Sequence, residues 1–189
     1  MKKIPFYVAL IPVLAAVLSL TGCSILPEPR QSRIEYFDLR QPKQVRSLPV
    51  EVEPFVTSSG ERQRMLRRSS GIFMESSDFH KWMQPVGPLL TRYLRLAFRN
   101  QLQNQPVNRD RCVILSGEVL SFERNGDKAV LGVHYQLKYE RVTYAKTVLI
   151  TEKMDGSRPA AFAEAMSRTA ERFAATVADE ITKLTAKRK

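Results

Sequence analysis

The chain has 189 residues and a strongly basic balance, 30 Lys plus Arg against 19 Asp plus Glu, for a net charge of +11. In a cytosolic protein that charge would point to nucleic acid, but the chain carries no zinc-finger spacing, aromatic RNA-binding signature or basic helix with heptads.

Met1 is followed by Lys2 and Lys3, and no charged residue occurs from Ile4 to Gly22. A basic end, an apolar run and then small residues is the layout of a secretory signal peptide. A run of this length could just span a bilayer. Pro5 and Pro12 argue against that, because each leaves a backbone carbonyl without its donor in a lipid-exposed helix. The run ends in "LSLTGCS", and Leu20-Thr21-Gly22-Cys23 resembles the bacterial lipobox, in which the cysteine sulfur takes a diacylglyceryl group. The chain is then cut before that cysteine and the new amino terminus is acylated. Thr21 and Gly22 are small enough for a peptidase to approach the bond, and only a thiol can form the thioether. Each buried methylene contributes about 0.8 kcal/mol, so one acyl chain binds marginally and two or three bind stably.

Residues 1–22 are therefore expected as a lipoprotein signal peptide, with Cys23 as the lipid attachment site. Ser24 stands where an aspartate would mark inner-membrane retention in the enterobacterial sorting rule, so the expected location is the outer membrane, facing the periplasm. Cleavage leaves 28 basic against 19 acidic side chains, a charge of +9. A basic exported protein suits anionic lipid headgroups, each Lys or Arg near them contributing about 1 kcal/mol. The same charge also serves ordinary solubility, and net charge does not say where charges cluster. With Cys23 acylated, Cys112 has no partner for an intramolecular disulfide and reads as a small core residue.

Residues 24–33, "SILPEPRQSR", have two prolines and no periodicity, and complete a lipidated tether over 23–33. "IEYFDL" at 34–39 reads as a strand. In "LPVEVEPFV", Val50 and Val52 alternate with Glu51 and Glu53, which predicts a second strand with one wet face. Residues 58–70, rich in arginine, read as a basic loop. "GIFMES" is expected as a short strand leading into "DFHKWMQP", residues 78–85.

A helix follows, with Pro85 and Pro88 at its opening, where missing donors cost little. Val86, Leu89, Leu90, Tyr93, Leu94, Ala97, Phe98 and Leu102 form its apolar face, while Arg92, Arg95 and Arg99 lie largely off it. "CVILSGEVLSF" is nearly apolar on both faces, as a central strand should be. "NGD" at 125–127 signals a hairpin. Beyond it Leu131, Val133, Tyr135, Leu137 and Tyr139 alternate with polar residues and glycine, and "VTYAKTVLI" reads as a further strand. A last helix opens with Ser157 as its cap and Pro159 in its first turn. Its stripe is Phe162, Met166, Ala170, Phe173, Val177, Ile181 and Leu184, and the terminal "KRK" complements the helix dipole. The expected architecture over residues 34–186 is α+β: a two-layer domain in which two long helices pack on one face of a mostly antiparallel sheet.

Chemistry is sparse. His80 and His134 are the only histidines, no His-x-x-x-His or Cys-x-x-Cys pair exists, and neither a phosphate loop nor a Gly-x-Ser-x-Gly elbow occurs. No metal, cofactor or catalytic residue is implied. The unusual stretch is "DFHKWMQP", which gathers the only tryptophan, a histidine and a phenylalanine. It suits a contact surface, or alternatively Phe79 and Trp82 staple the helix start onto the core.

A lipobox, then Tyr36-Phe37-Asp38-Leu39, then His80-Lys81-Trp82-x-x-Pro85 opening a Leu-rich helix, resembles the ABC-type transport auxiliary lipoproteins. "EVLSFERNGDKAVLGVHYQL" is similar to that family's paired strands, and "AFAEAMSRTAERFAATVADEI" to its closing helix. Two departures are Gln84, where the family usually has an acidic residue before the proline, and the basic stretch at 58–70. The resemblance implies a non-catalytic adaptor for intermembrane lipid transport, with a periplasm-spanning MCE-domain protein and further copies of itself as candidate partners. Phe79, His80, Lys81, Trp82 and Pro85 would then contact that partner or neighbouring copies. Two other roles stay open: direct lipid carriage, which needs an apolar cavity of several hundred cubic ångströms, and a structural envelope lipoprotein bound to peptidoglycan or an outer-membrane protein.

Overall fold

The computed structural model describes residues 33–58, 63–99 and 112–186; the expected signal peptide, Cys23, the tether up to residue 32, Leu102 and the terminal "KRK" lie outside them. In chain order the elements are β1 (Glu35–Phe37), β2 (Val50–Val52), β3 (Val56–Thr57), β4 (Arg64–Ser70), β5 (Phe73–Trp82), α1 (Val86–Ala97), β6 (Val113–Asn125), β7 (Lys128–Tyr139), β8 (Val142–Lys153) and α2 (Pro159–Ala186).

The fold is α+β, with one sheet in the order β1-β5-β4-β6-β7-β8. Its long ladders, β4 with β5, β6 with β7 and β7 with β8, are antiparallel. Its short ones are parallel. One edge of β6 is taken in succession by β2 at Val113 to Leu115, β3 at Glu118 to Val119 and β4 at Glu123 to Asn125. The sheet is therefore mixed.

A single core joins both helices to alternate residues of β6 and β7, and the helical stripes expected from the 3.6-residue period are buried in it: Leu89, Leu90, Tyr93 and Leu94 of α1, Phe162, Met166, Phe173 and Ile181 of α2. Proline opens both helices without loss. The Pro85 carbonyl accepts from Leu89 N at 2.9 Å, and Pro88 occupies a first-turn position whose N–H would lack a partner anyway. The last helix begins at Pro159, so Ser157 lies one residue outside the capping position; its carbonyl instead accepts from Arg124 Nη1 at 2.8 Å.

The central strand departs from the expected two-faced pattern. Val113, Leu115 and Val119 are buried on odd positions, Phe122 on an even one, and Leu120 is 44% exposed. The register with β7 slips by one between Val119 and Ser121, so a bulge at Leu120 switches the face and brings Phe122 opposite the buried Leu131. One apolar face with a phase change thus reads, in sequence, as two. At the β6–β7 turn Gly126 has φ +59 and Asp127 no positive φ, the pattern of a turn whose first central residue must be left-handed. At the β7–β8 turn Glu140, with φ 52, takes the corresponding place without glycine.

Glycine is required at position 87. A Cβ there would lie 2.3 Å from the Phe55 carbonyl oxygen. This close approach lets Thr91 Oγ1 accept from Phe55 N at 2.8 Å and donate to the Gly87 carbonyl, fastening the chain between β2 and β3 onto α1. The arginines of α1 are also more than a solvated surface. Arg95 donates to the Val52 carbonyl from Nε at 3.1 Å and from Nη2 at 3.0 Å, and Arg92 pairs with Asp38.

Residues 64–70 overturn the expected loop. They form β4, paired on both sides, with Met65 buried. Arg68 clasps Glu123 through Nε (2.6 Å) and Nη2 (3.0 Å), and its Nη1 donates to the Gly71 carbonyl at 2.8 Å. With one buried apolar side chain in seven, the strand is held by backbone ladders and this ion pair, neither of which leaves a hydrophobic period in the sequence.

Cys112 is buried, and burial, reinforced by the Glu51 carboxylate, raises its thiol above the ordinary range. The native thiol is then protonated near about pH 8, where a free cysteine begins to ionise. We expect no labelling of Cys112 by a disulfide reagent in the native chain and full labelling in denaturant; rapid native labelling would show that β6 begins in an open segment.

Candidate interaction surface

β1 and the second half of β5 build the edge that carries "DFHKW". β4 has one residue, Met65, between the pairs Arg64↔Lys81 and Leu66↔Ser76, whereas β5 has four, residues 77–80. The surplus is a wide bulge, and Ser77 holds it: its hydroxyl accepts from His80 N at 3.0 Å and pairs with His80 Nδ1 at 2.8 Å. Ser, with a short side chain that bonds nearby backbone, is suited to this task.

β1 joins β5 in parallel, Glu35↔His80, Tyr36↔Lys81 and Phe37↔Trp82, and Met83 N donates to the Phe37 carbonyl at 2.8 Å. Alternation along the two strands puts Phe37 and Trp82 on the core side. Ile34, Tyr36, Phe79, Lys81 and Met83 fall on the other. Tyr36 and Met83 are each 56% exposed, Phe79 45% and Ile34 43%. Among the described residues β1 is the last strand on this side of the sheet, so its outer edge borders this apolar strip. Beside it Arg64 Nη1 lies 3.2 Å from Asp78 Oδ1, and His80 Nε2 lies 3.9 Å from Glu35 Oε2.

Trp82 requires a correction. It is fully buried, edge-on to Phe122 (centroids 5.0 Å) and Phe162 (5.6 Å), so it is a core residue and offers a partner nothing. The alternative in which Phe79 and Trp82 together staple the helix start holds only for the burial of Trp82, because its ring neighbours lie in β6 and α2 and Phe79 is exposed. Pro85 is half-buried at the start of α1, and His80 is half-buried against Phe37 at 6.2 Å. Phe79 remains as the exposed aromatic and Lys81 as its half-buried neighbour. Ile34, Tyr36 and Met83 escape sequence reasoning, because the parallel pairing that brings β1 beside β5 is not local. Asp38 escapes it too: its Oδ1 accepts from Leu39 N at 2.8 Å and from Arg92, which ties the segment after β1 to α1.

Among the described residues no group of His, Cys, Asp and Glu could hold a metal ion, and no helix is long and apolar enough to cross a membrane. A cleft of about 570 Å³ is lined by Arg40, Lys43, Glu152, Glu164, Arg168 and Arg172 among others. What the β1–β5 edge offers chemically is an apolar, hydrogen-bond-capable contact strip.

Two solved structures share the fold. One, titled as an uncharacterized protein, aligns with a TM-score of 0.66 at 14% identity, covering 79% of this chain and 99% of its own. The other, a Xanthomonas campestris protein of the DUF330 family, aligns with a TM-score of 0.63 at 14% identity, covering 82% of this chain and 99% of its own. No curated protein matches the sequence. The model of the family described as ABC-type transport auxiliary lipoprotein component matches residues 39–178, from the end of "YFDL" into the last helix, and the chain belongs to that family.

Proposed function

We propose that this protein is a non-catalytic adaptor of an intermembrane lipid transport system, anchored to the periplasmic face of the outer membrane through acylated Cys23. Its partner would be a periplasm-spanning MCE-domain protein, received on the β1–β5 edge. The observation that carries this reading is the strip of Ile34, Tyr36, Phe79 and Met83, all exposed beside β1, the edge strand among the described residues. An auxiliary component of a transporter must dock onto other parts, and this strip has the aromatic and Met content of interface cores. Pairing across the free edge of β1 would add main-chain hydrogen bonds to the apolar contact.

The test is in-cell photocrosslinking from p-benzoylphenylalanine placed at Phe79, with the captured species identified by mass spectrometry. Capture of an MCE-domain protein is the expected result. Capture of peptidoglycan-linked species, or of nothing but lipid, would replace the adaptor with an envelope lipoprotein or a carrier.

A further inference from the structure

The β4–β5 hairpin ends in a feature that the fold does not use. The last partner of β4 on β6 is Arg68↔Asn125, after which β4 continues past the end of the central strand and turns at Gly71 and Ile72, between the paired Ser70 and Phe73. Ile72 is 99% exposed and Phe73 59%. Turn chemistry asks for Gly, Asn or Asp at such positions, and Gly71, with φ +43, meets that demand alone. An isoleucine beside it contributes nothing to the turn. The tip is nonetheless held, because Arg68 is fixed by Glu123 and donates to the Gly71 carbonyl.

The direction of the tip identifies what it meets. β5 runs from the tip toward Trp82, and β1 runs parallel to it with Glu35 opposite His80. The chain therefore enters β1 from the hairpin's end of the sheet. His80 lies seven residue steps from Phe73, about 23 Å at most of strand rise. Residues 24–33 supply ten further residues between Cys23 and Ile34, which span at most about 35 Å. A bilayer holding Cys23 is then within reach of the hairpin. Near the tip Arg67 stands between Glu75 of β5 and Arg124 of β6, and Arg68 is taken up by Glu123, so the contact is led by apolar insertion of Ile72 and Phe73.

We propose that Ile72 and Phe73 insert into the interface of the bilayer that carries the lipid anchor, giving the domain a second, non-covalent membrane contact that fixes its orientation. This rests on the acyl-anchor reading given above. Two attachment points at one end of the sheet would leave the opposite end, with the β7–β8 turn, pointing away from the membrane.

The test uses the lipidated full-length product with Ile72→Cys, labelled with an environment-sensitive fluorophore and reconstituted into vesicles of phosphatidylethanolamine and phosphatidylglycerol. A matched sample carries the label at Arg141→Cys, in the exposed β7–β8 turn. Insertion by about 5–10 Å places the first label within reach of doxyl-labelled lipid, so we expect a blue shift and about twofold or greater excess quenching at position 72 over position 141. Equal quenching at the two positions overturns the proposal. So does a blue shift at 72 without lipid quenching, which would mean that the tip is covered by protein. Mass spectrometry of the same sample reports the anchor separately: an unacylated Cys23 overturns the anchor reading and the tether argument with it, whereas an acylated chain with an unquenched tip overturns the insertion alone.

Discussion

Trp82→Ala lowers the stability of the domain by about 3–5 kcal/mol, the range for removing a buried aromatic side chain and leaving a cavity. For a domain of this size that corresponds to a fall of roughly 10 °C in the unfolding midpoint. The ring is fully buried between Phe122 of β6 and Phe162 of α2, so its loss opens the core where the last helix meets the sheet. Phe79→Ala, three residues earlier, removes a ring that is 45% exposed and should change stability by only about 0.5 kcal/mol. Thermal melts of the two purified variants separate core from surface within one five-residue stretch. A Trp82→Ala variant as stable as the parent would place the indole outside the core and return it to the contact surface. The pairing also guards the functional test, since a transport defect in Phe79→Ala could not be blamed on unfolding.

Arg68→Ala is the second large effect. The Glu123 side chain is only 8% exposed and that of Arg68 30%. Removing the guanidinium leaves a nearly buried carboxylate without its partner, which costs about 2–3 kcal/mol once the partial exposure of the arginine is discounted. Glu123→Gln should cost less, because Arg68 can extend into solvent and keep its bond to the Gly71 carbonyl. Urea denaturation of both single variants and the double variant gives the coupling energy, expected at about 1–2 kcal/mol. Equal, small losses in all three would mean that β4 is held by its backbone ladders alone. Because Arg68 also braces the hairpin tip, the same variant should weaken the lipid contact inferred for Ile72 and Phe73 without changing the proposed acylation of Cys23.

These two residues also mark where sequence reasoning stops. In β7, Leu131, Val133, Tyr135 and Leu137 are buried as their alternation predicts, and α2 buries its stripe from Phe162 to Ile181. Such elements are legible because one side-chain period meets one continuous core. The Arg-rich run at 64–70 has no such period. It is a strand because β5 and β6 flank it, and pairing of that kind depends on backbone groups that every sequence possesses. "DFHKW" shows the same limit more sharply. Its composition singles out a special segment, yet which ring faces the core and which faces solvent depends on a four-residue bulge held by Ser77 and on β1 arriving in parallel.

What the amino-acid order determined by itself is therefore local and chemical. The lipobox-like end, the proline-opened helices, the left-handed glycine of the "NGD" turn and the want of catalytic spacing each follow from residue type at a given position. The tertiary structure decided the rest: the mixed pairing of the sheet, the phase change at Leu120, the burial of Trp82, the exposure of Tyr36, Phe79 and Met83 along one edge, and the overhang that carries Ile72 past the end of β6. Each of these is set by which distant strand supplies the hydrogen bonds. A parallel neighbour costs the sequence no distinctive side chain and the β5 bulge only a serine, so each becomes visible only once the strands are in place.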